Sequence, residues 1–214
     1  MKTITVIFFL ALTISNGLSQ EINLAEIKTL TKDSTSKYFY DTLVREFLLH
    51  PRDFEMTKGM NLYYGKLFSK YYKPYSFHKE ETGFNEFLMR ENYEGAITVG
   101  ERILEKDPVN LSLLLKLLKC YAMTKDHALA DLTRMQVDIL YKAILHGGTG
   151  QKQEKALKVI DIGDEYAMMA LMNVEGLSRR SIMKSSSIID AWKIRPLKKG
   201  RKKNLYFEVL INNP

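Results

Sequence analysis

Several short stretches carry residues whose types and spacing suit known chemistry. Ser181-Ile182-Met183-Lys184 is an S-x-x-K pattern, in which a lysine one helical turn away activates a serine nucleophile. That chemistry also requires an S-D-N-like element and K-T-G on a strand, and Lys198-Lys199-Gly200 in a charged turn is a poor substitute. Gly147-Gly148-Thr149-Gly150-Gln151-Lys152 has the look of a phosphate-cradling loop. However, Leu145 stands at the first glycine position and Gln151 at the lysine position. The stretch also follows a helix rather than a strand, so a helix-ending turn is expected. Asp161, Asp164 and Glu165 lie close together without a calcium-loop pattern. Asp164 reads as a helix N-cap with Glu165 in the first turn. For acid–base work, Asp161 and Asp164 are the first pair to inspect.

The remaining reactive residue types are sparse. His50, His78, His127 and His146 have no H-E-x-x-H or other ligand spacing, so no metal or cofactor is expected. Cys120 is the only cysteine, which excludes an internal disulfide, and its place in LLLKLLKCYAM reads as a buried, inert thiol. From Ser178 to Pro214 ten basic residues face two acidic ones, a balance of +8. The remaining 22 basic and 23 acidic residues leave −1, so the net charge of +7 belongs to the tail. Its centre is Lys193–Lys203, with Arg195, Lys198, Lys199, Arg201, Lys202 and Lys203 as candidate contacts to anionic lipid or glycan. A solvated hairpin tip is the plainer reading of that stretch.

These residues need elements to position them. Residues 1–19 read as an export signal: Lys2 supplies the charge, Thr3–Ile14 the apolar core, and cleavage is expected after Ser19 or Gly17. The apolar run is shorter than the roughly 20 residues of a membrane span, and nothing later approaches one. The mature chain is expected outside the cytoplasm, which argues against nucleic acid as a partner. Residues 20–150 read as helical. Glu21–Thr31 and Ser36–Leu49 are helices, and Asp53 offers a cap for a helix reaching Tyr72. Its aromatic cluster, Tyr63, Tyr64, Phe68, Tyr71 and Tyr72, reads as core packing with hydroxyls at the surface, or as a ligand platform.

From Phe84 to Ala130 apolar or small residues recur every 34 positions: Phe84 with Leu118, Phe87 with Tyr121, Met89 with Met123, Ala96 with Ala130. This period belongs to tetratricopeptide repeats. Over about 84–142 the chain resembles that family. Phe87, Ala96 and Pro108 stand at its aromatic, small and proline positions, and Leu114, Leu117, Tyr121 and Ala130 match in the second unit. Lys142 replaces the closing proline, and Pro74 hints at a degenerate earlier unit. Residues 151–214 read as a small α+β segment. It comprises a strand at Leu157–Ile162, a helix or else a strand at Glu165–Val174, and strands Ile188–Ile194 and Asn204–Ile211 joined by the basic turn. The fold class is α+β.

A second resemblance rests on the order of short motifs. They are Leu62-Tyr63-Tyr64-Gly65, Pro74-Tyr75, Asn92–Ile97, Asp107-Pro108-Val109-Asn110, the Gly147–Gly150 turn, Val159-Ile160, Asp164-Glu165-Tyr166 and Leu205-Tyr206-Phe207. In this order the chain resembles the domain of unknown function 4919, a family of exported proteins from Bacteroides-type bacteria. The resemblance implies export and tetratricopeptide-like packing, and brings no activity or site residues. The expectation is a non-enzymatic interaction module that binds a protein or peptide along the helical groove through Arg90, Tyr93 and Lys116. The alternatives are an anionic-surface binder acting through the basic turn, and an unrecognised hydrolase.

Overall fold

Short polar side chains start most of the helices by accepting an otherwise unpaired N–H of the first turn. The structure is a computed structural model that describes residues 22–73 and 79–211. The expected export signal, Pro74 and Tyr75 lie outside the described residues. Asn23 caps α1 (Leu24–Lys32), accepting the Glu26 N–H at 3.1 Å. α2 (Tyr40–Leu49) stops before Pro51, which opens a 3-10 turn over Pro51–Asp53, and α3 (Met56–Gly65) follows. Asp53 is therefore not the expected cap. It belongs to the turn, Glu55 precedes α3, and the helix ends at Gly65 in a second 3-10 turn instead of reaching Tyr72.

α4 (Lys79–Met89), α5 (Tyr93–Lys106), α6 (Leu111–Met123) and α7 (His127–His146) each pack against the next. The spacing of 34 recurs in their backbone. Glu91 and Lys125 take positive φ, 55° and 63°, and the residues after them, Asn92 and Asp126, cap α5 and α7. The Asn92 N–H donates to Phe87 O and the Asp126 N–H to Tyr121 O, both at 2.9 Å. Phe84, Ala96, Ile103, Leu117, Tyr121 and Ala130 form the cluster between these helices, where Cys120 is also buried. A Cβ on Gly100 would stand 2.7 Å from Leu117 and 2.9 Å from Phe84, so α4, α5 and α6 approach closely there. Among the described residues no helix is long and apolar enough to cross a membrane.

The glycines after α7 fold the chain back on itself. The N–H groups of Thr149 and Gly150 donate to Lys155 O at 3.0 and 2.8 Å, so the turn spends its donors internally rather than on a phosphate. Then come β1 (Leu157–Val159), α8 (Ile162–Leu171), β2 (Val174–Met183), β3 (Ser187–Pro196) and β4 (Lys203–Leu210). The sheet order is β1-β4-β3-β2, with β1 parallel to β4 and the other pairs antiparallel. The α+β class is as expected. Between the expected helix and the expected strand at Ile188–Ile194 the chain forms a further element, the ten-residue edge strand β2. A second core cluster runs from α1–α3 through α6 and α7 to α8 and the sheet, and includes Phe47, Tyr63, Leu114, Leu140, Met168 and Phe207.

Two glycines give opposite outcomes on substitution by alanine. At Gly148 a Cβ would fall 2.1 Å from the backbone oxygen of Ala156, which cannot swing away as a side chain does. Gly148→Ala is expected to cost about 2–3 kcal/mol in urea unfolding. Gly83, inside α4, has nothing within 4 Å of that position. Gly83→Ala is expected to gain about 0.5–1 kcal/mol, because only the backbone entropy of glycine is removed.

Candidate functional site

The helical front and the C-terminal segment meet across a seam that contains buried polar groups. Tyr63 and Tyr64 leave α3 side by side, both fully buried, with ring centroids 4.9 Å apart at 79°. Tyr63 Oη donates to Asp164 Oδ2 at 2.6 Å and accepts the Ile160 N–H at 3.1 Å. Tyr64 Oη donates to Lys158 O at 3.1 Å. The hydroxyls of Tyr63 and Tyr64 thus point into the seam and not to the surface as expected, whereas Tyr71 and Tyr72 of the same cluster are half-buried. Asp164 is not the cap of α8. Asp161 takes that role, accepting the Gly163 N–H at 2.7 Å, and Asp164 is buried in the helix's first turn. Burial first, and then the Asp161 charge, raise the Asp164 carboxyl to about 7, against the Tyr63 hydrogen bond and the Lys66 charge.

Beside this pair lies a second buried one. Lys66, in the 3-10 turn after α3, sits 2.6 Å from Asp107 Oδ1 and donates to Val109 O at 2.8 Å. Asn110, the cap of α6, donates to Asp107 Oδ2 at 3.1 Å. Where these elements cease to pack, a cavity of about 300 Å³ opens. Tyr71, Tyr72, Phe84, Leu113, Ile162 and Leu210 supply its apolar walls. Lys66, Asp107, Asn110, Ser112, Lys116 and Asp161 supply its polar ones. α6 and α8 begin side by side at this point, since a Cβ on Gly163 would lie 3.4 Å from Ser112 Cβ. A second hollow of about 370 Å³ lies between the Pro51–Asp53 turn and α7, but its Asp138 and Lys142 pair with each other.

Under the sheet lies another carboxyl pair. Glu165 Oε2 accepts the Trp192 indole N–H at 2.7 Å, and the buried Asp190 on β3 lies near enough to act on its carboxyl. Arg179 on β2 stands 3.5 Å from Asp190 Oδ2 and 4.0 Å from Glu165 Oε2, with its guanidinium 5.5 Å from the Trp192 ring centroid. Burial above all, with Asp190, raises Glu165 to about 8, so near neutrality the Glu165 carboxyl is largely protonated.

The residues expected to bind are scattered. Lys116 lines the cavity, donates to Asn85 Oδ1 at 3.2 Å, and has its ammonium 5.9 Å from the Phe84 ring centroid. Arg90 is exposed at the turn between α4 and α5, and Tyr93 opens α5, half-buried against the helical cluster. Neither lines the cavity. Arg195 is tied to Glu175 on β2 at 2.6 Å. Lys198, Lys199, Arg201, Lys202 and Lys203 are all exposed at the turn between β3 and β4. Ser181 lies on strand β2, where residues three apart project from opposite faces, so Lys184 is not one helical turn from it. Lys66 and Asp107 carried no signal, since a lysine after a glycine and an aspartate before a proline both read as chain punctuation.

A set of consecutive helical hairpins closed on one side by a small mixed sheet defines an α+β protein with a cavity at the junction. The chain belongs to the family described as domain of unknown function (DUF4919), which it matches over residues 25–211. No curated protein matches the chain, and no solved structure does.

Two measurements test the seam. The Lys66–Asp107 pair is largely shielded, with side chains 8% and 10% exposed. Lys66→Met, which strands a buried carboxylate, is expected to cost about 3 kcal/mol, and Lys66→Met with Asp107→Leu to recover most of that loss. Asp164 and Glu165 titrate near 7 and 8 in the fold, above an ordinary carboxyl near ~4. Between those values the folded chain binds more protons than the unfolded one, so their contribution to stability falls as pH rises. Asp164→Asn should flatten the stability profile from about pH 4 to 7, and Glu165→Gln from about pH 4.5 to 8. Urea unfolding of each variant across this range reads the difference from wild type.

Proposed function

We propose that this is an exported, non-enzymatic interaction protein of the cell envelope in a Bacteroides-type bacterium. In this reading its tetratricopeptide-like helical pair and its C-terminal segment together grip part of a partner protein or peptide. The observation that carries the reading is the cavity itself. One wall comes from the helical pair through Phe84, Leu113 and Lys116, and another from the C-terminal segment through Asp161, Ile162 and Leu210. Its volume of about 300 Å³ suits one or two side chains rather than a segment laid along an open groove, because α8 already packs against α6. The matched turns at Glu91 and Lys125 support the repeat character. Export rests on the sequence of residues 1–19. The non-enzymatic reading is supported by Asp164, the acid poised near neutrality at this seam, being held by Tyr63 beneath the cavity rather than among its lining residues.

A second reading, binding of lipid phosphates or anionic glycans, is favoured by the β3–β4 turn. Its Lys198, Lys199, Arg201, Lys202 and Lys203 are exposed and have no ion pair among the described residues. One experiment separates the two: capture of partners from the protein's own cell envelope at low and high salt. The cavity reading expects a partner retained at high salt and lost by roughly tenfold or more in Lys116→Glu, since a charge reversed at the mouth opposes the same contact. Material that is lost with salt and with neutralisation of the five turn residues, and is indifferent to Lys116→Glu, would replace it with the second reading.

A further inference from the structure

Among the described residues β2 has a partner on one side only. It ends the sheet order, runs ten residues, and is exposed along nearly its whole length. It contains no proline, and a register shift between Gly176 and Ser178 leaves Ser178–Met183 as a regular stretch. The pairing there fixes which groups are free. The Lys184 N–H donates to Ser187 O at 2.8 Å, and Ile182 pairs with Ile189 and Arg180 with Ala191. In an antiparallel ladder bonded pairs alternate, so the N–H and C=O groups of Arg179, Ser181 and Met183 project from the outer edge.

The side chains along this edge have a definite charge. Arg179 turns towards α8 and is held by Asp190 and Glu165. Arg180 therefore faces the opposite side of the sheet, where Ser178, paired with Lys193, lies two residues away. Neither Arg180 nor Lys193 has an ion pair among the described residues, and both are exposed. Ile182, 40% exposed, follows on the same face. A second copy of the chain is a poor occupant, because antiparallel pairing centred on Ser181 would set Arg180 diagonally across from its own counterpart, two like charges within reach of each other.

We propose that the free edge of β2 is a docking site for an extended, acidic segment of a partner protein, which joins the sheet as a fifth strand. The backbone of Arg179–Met183 supplies the ladder. Arg180 and Lys193 receive a carboxylate, and Ile182 receives an apolar side chain two residues from it. This site lies apart from the cavity and stands without it.

The test uses the mature chain and two labelled nine-residue peptides of alternating valine and threonine, one with a central glutamate and one with lysine there. Fluorescence anisotropy should show the glutamate peptide binding roughly tenfold or more tightly than its twin, with the preference reversed in Arg180→Glu. Ser181→Pro removes an outward N–H without breaking the β2–β3 ladder, and should weaken the glutamate peptide by roughly tenfold or more. In the wild type, hydrogen exchange at Arg179, Ser181 and Met183 should slow on peptide addition, a readout that does not depend on any variant folding. Lys116→Glu should leave binding unchanged. Equal binding of the two peptides, unchanged exchange at those three amides, or protection that arises from self-association without peptide would each overturn the proposal.

Discussion

Tyr63 Oη stands between the Asp164 carboxylate and the Ile160 N–H, donating to one at 2.6 Å and accepting from the other at 3.1 Å, in a position closed to solvent. A carboxyl group placed there without a partner would cost several kcal/mol, so the seat of α8 depends on this hydroxyl. Tyr63 and Asp164 are 101 residues apart, and no local structure in either half can satisfy them alone. Tyr64 adds a tie to β1 from the next position on α3. Apolar packing of Leu62, Phe207 and Met168 supplies the attraction across this seam. The two tyrosines decide its register, since an apolar surface tolerates a slide that a buried hydrogen bond does not.

The same arrangement explains why the cavity lies where it does. Lys66 and Asp107 are shielded together at the edge of the seam, and their pair is held by Val109 O and Asn110. A buried ion pair of this kind adds little to stability against an apolar replacement, because desolvation offsets most of the attraction. What it does is fix the end of α5 and the start of α6 relative to α3. Side chains committed to that geometry cannot also fill the space in front of them, so a hollow remains beside the point where α6 and α8 meet at Ser112 and Gly163. The hollow is a consequence of polar groups choosing fixed partners.

Much of the helical architecture was legible in the sequence because its causes are local. Asn92, Asn110 and Asp126 announce helix starts by their own chemistry, and the recurrence of 34 needs only a count along the chain. Strands β3 and β4 were legible from their apolar residues, whereas β2 was not. An edge strand exposed along nearly its whole length has no apolar side to alternate with a polar one, so Ser178–Met183 carries no period-two signal. The error at Asp164 has a related cause. Two aspartates three residues apart are both good caps, and only the tertiary burial of the second shows that the first is used. The cavity was hardly legible at all. Its lining comes from the segment after α3, from α4, the turn into α6, α6 itself, the start of α8 and the end of β4, and only Lys116, Asp161, Tyr71 and Tyr72 stand out in the sequence as candidate site residues.

Charge divides the molecule differently from packing. The cavity lining holds Lys66, Lys73 and Lys116 against Glu81, Asp107 and Asp161, so its charges balance. The sheet end carries the chain's surplus, with the basic turn following β3 beside the start of β2, where Val174 pairs with Pro196. Exposed charges of one sign act over a Debye length of about 8 Å and chiefly change how often an oppositely charged partner arrives. Backbone hydrogen bonds at the β2 edge act only after contact and govern how long the partner stays. The basic turn stands at the Val174 end of β2, roughly 16 Å or more along the strand from the unpaired backbone of Arg179, Ser181 and Met183. That is beyond a Debye length, so the turn and the free edge act as separate surfaces.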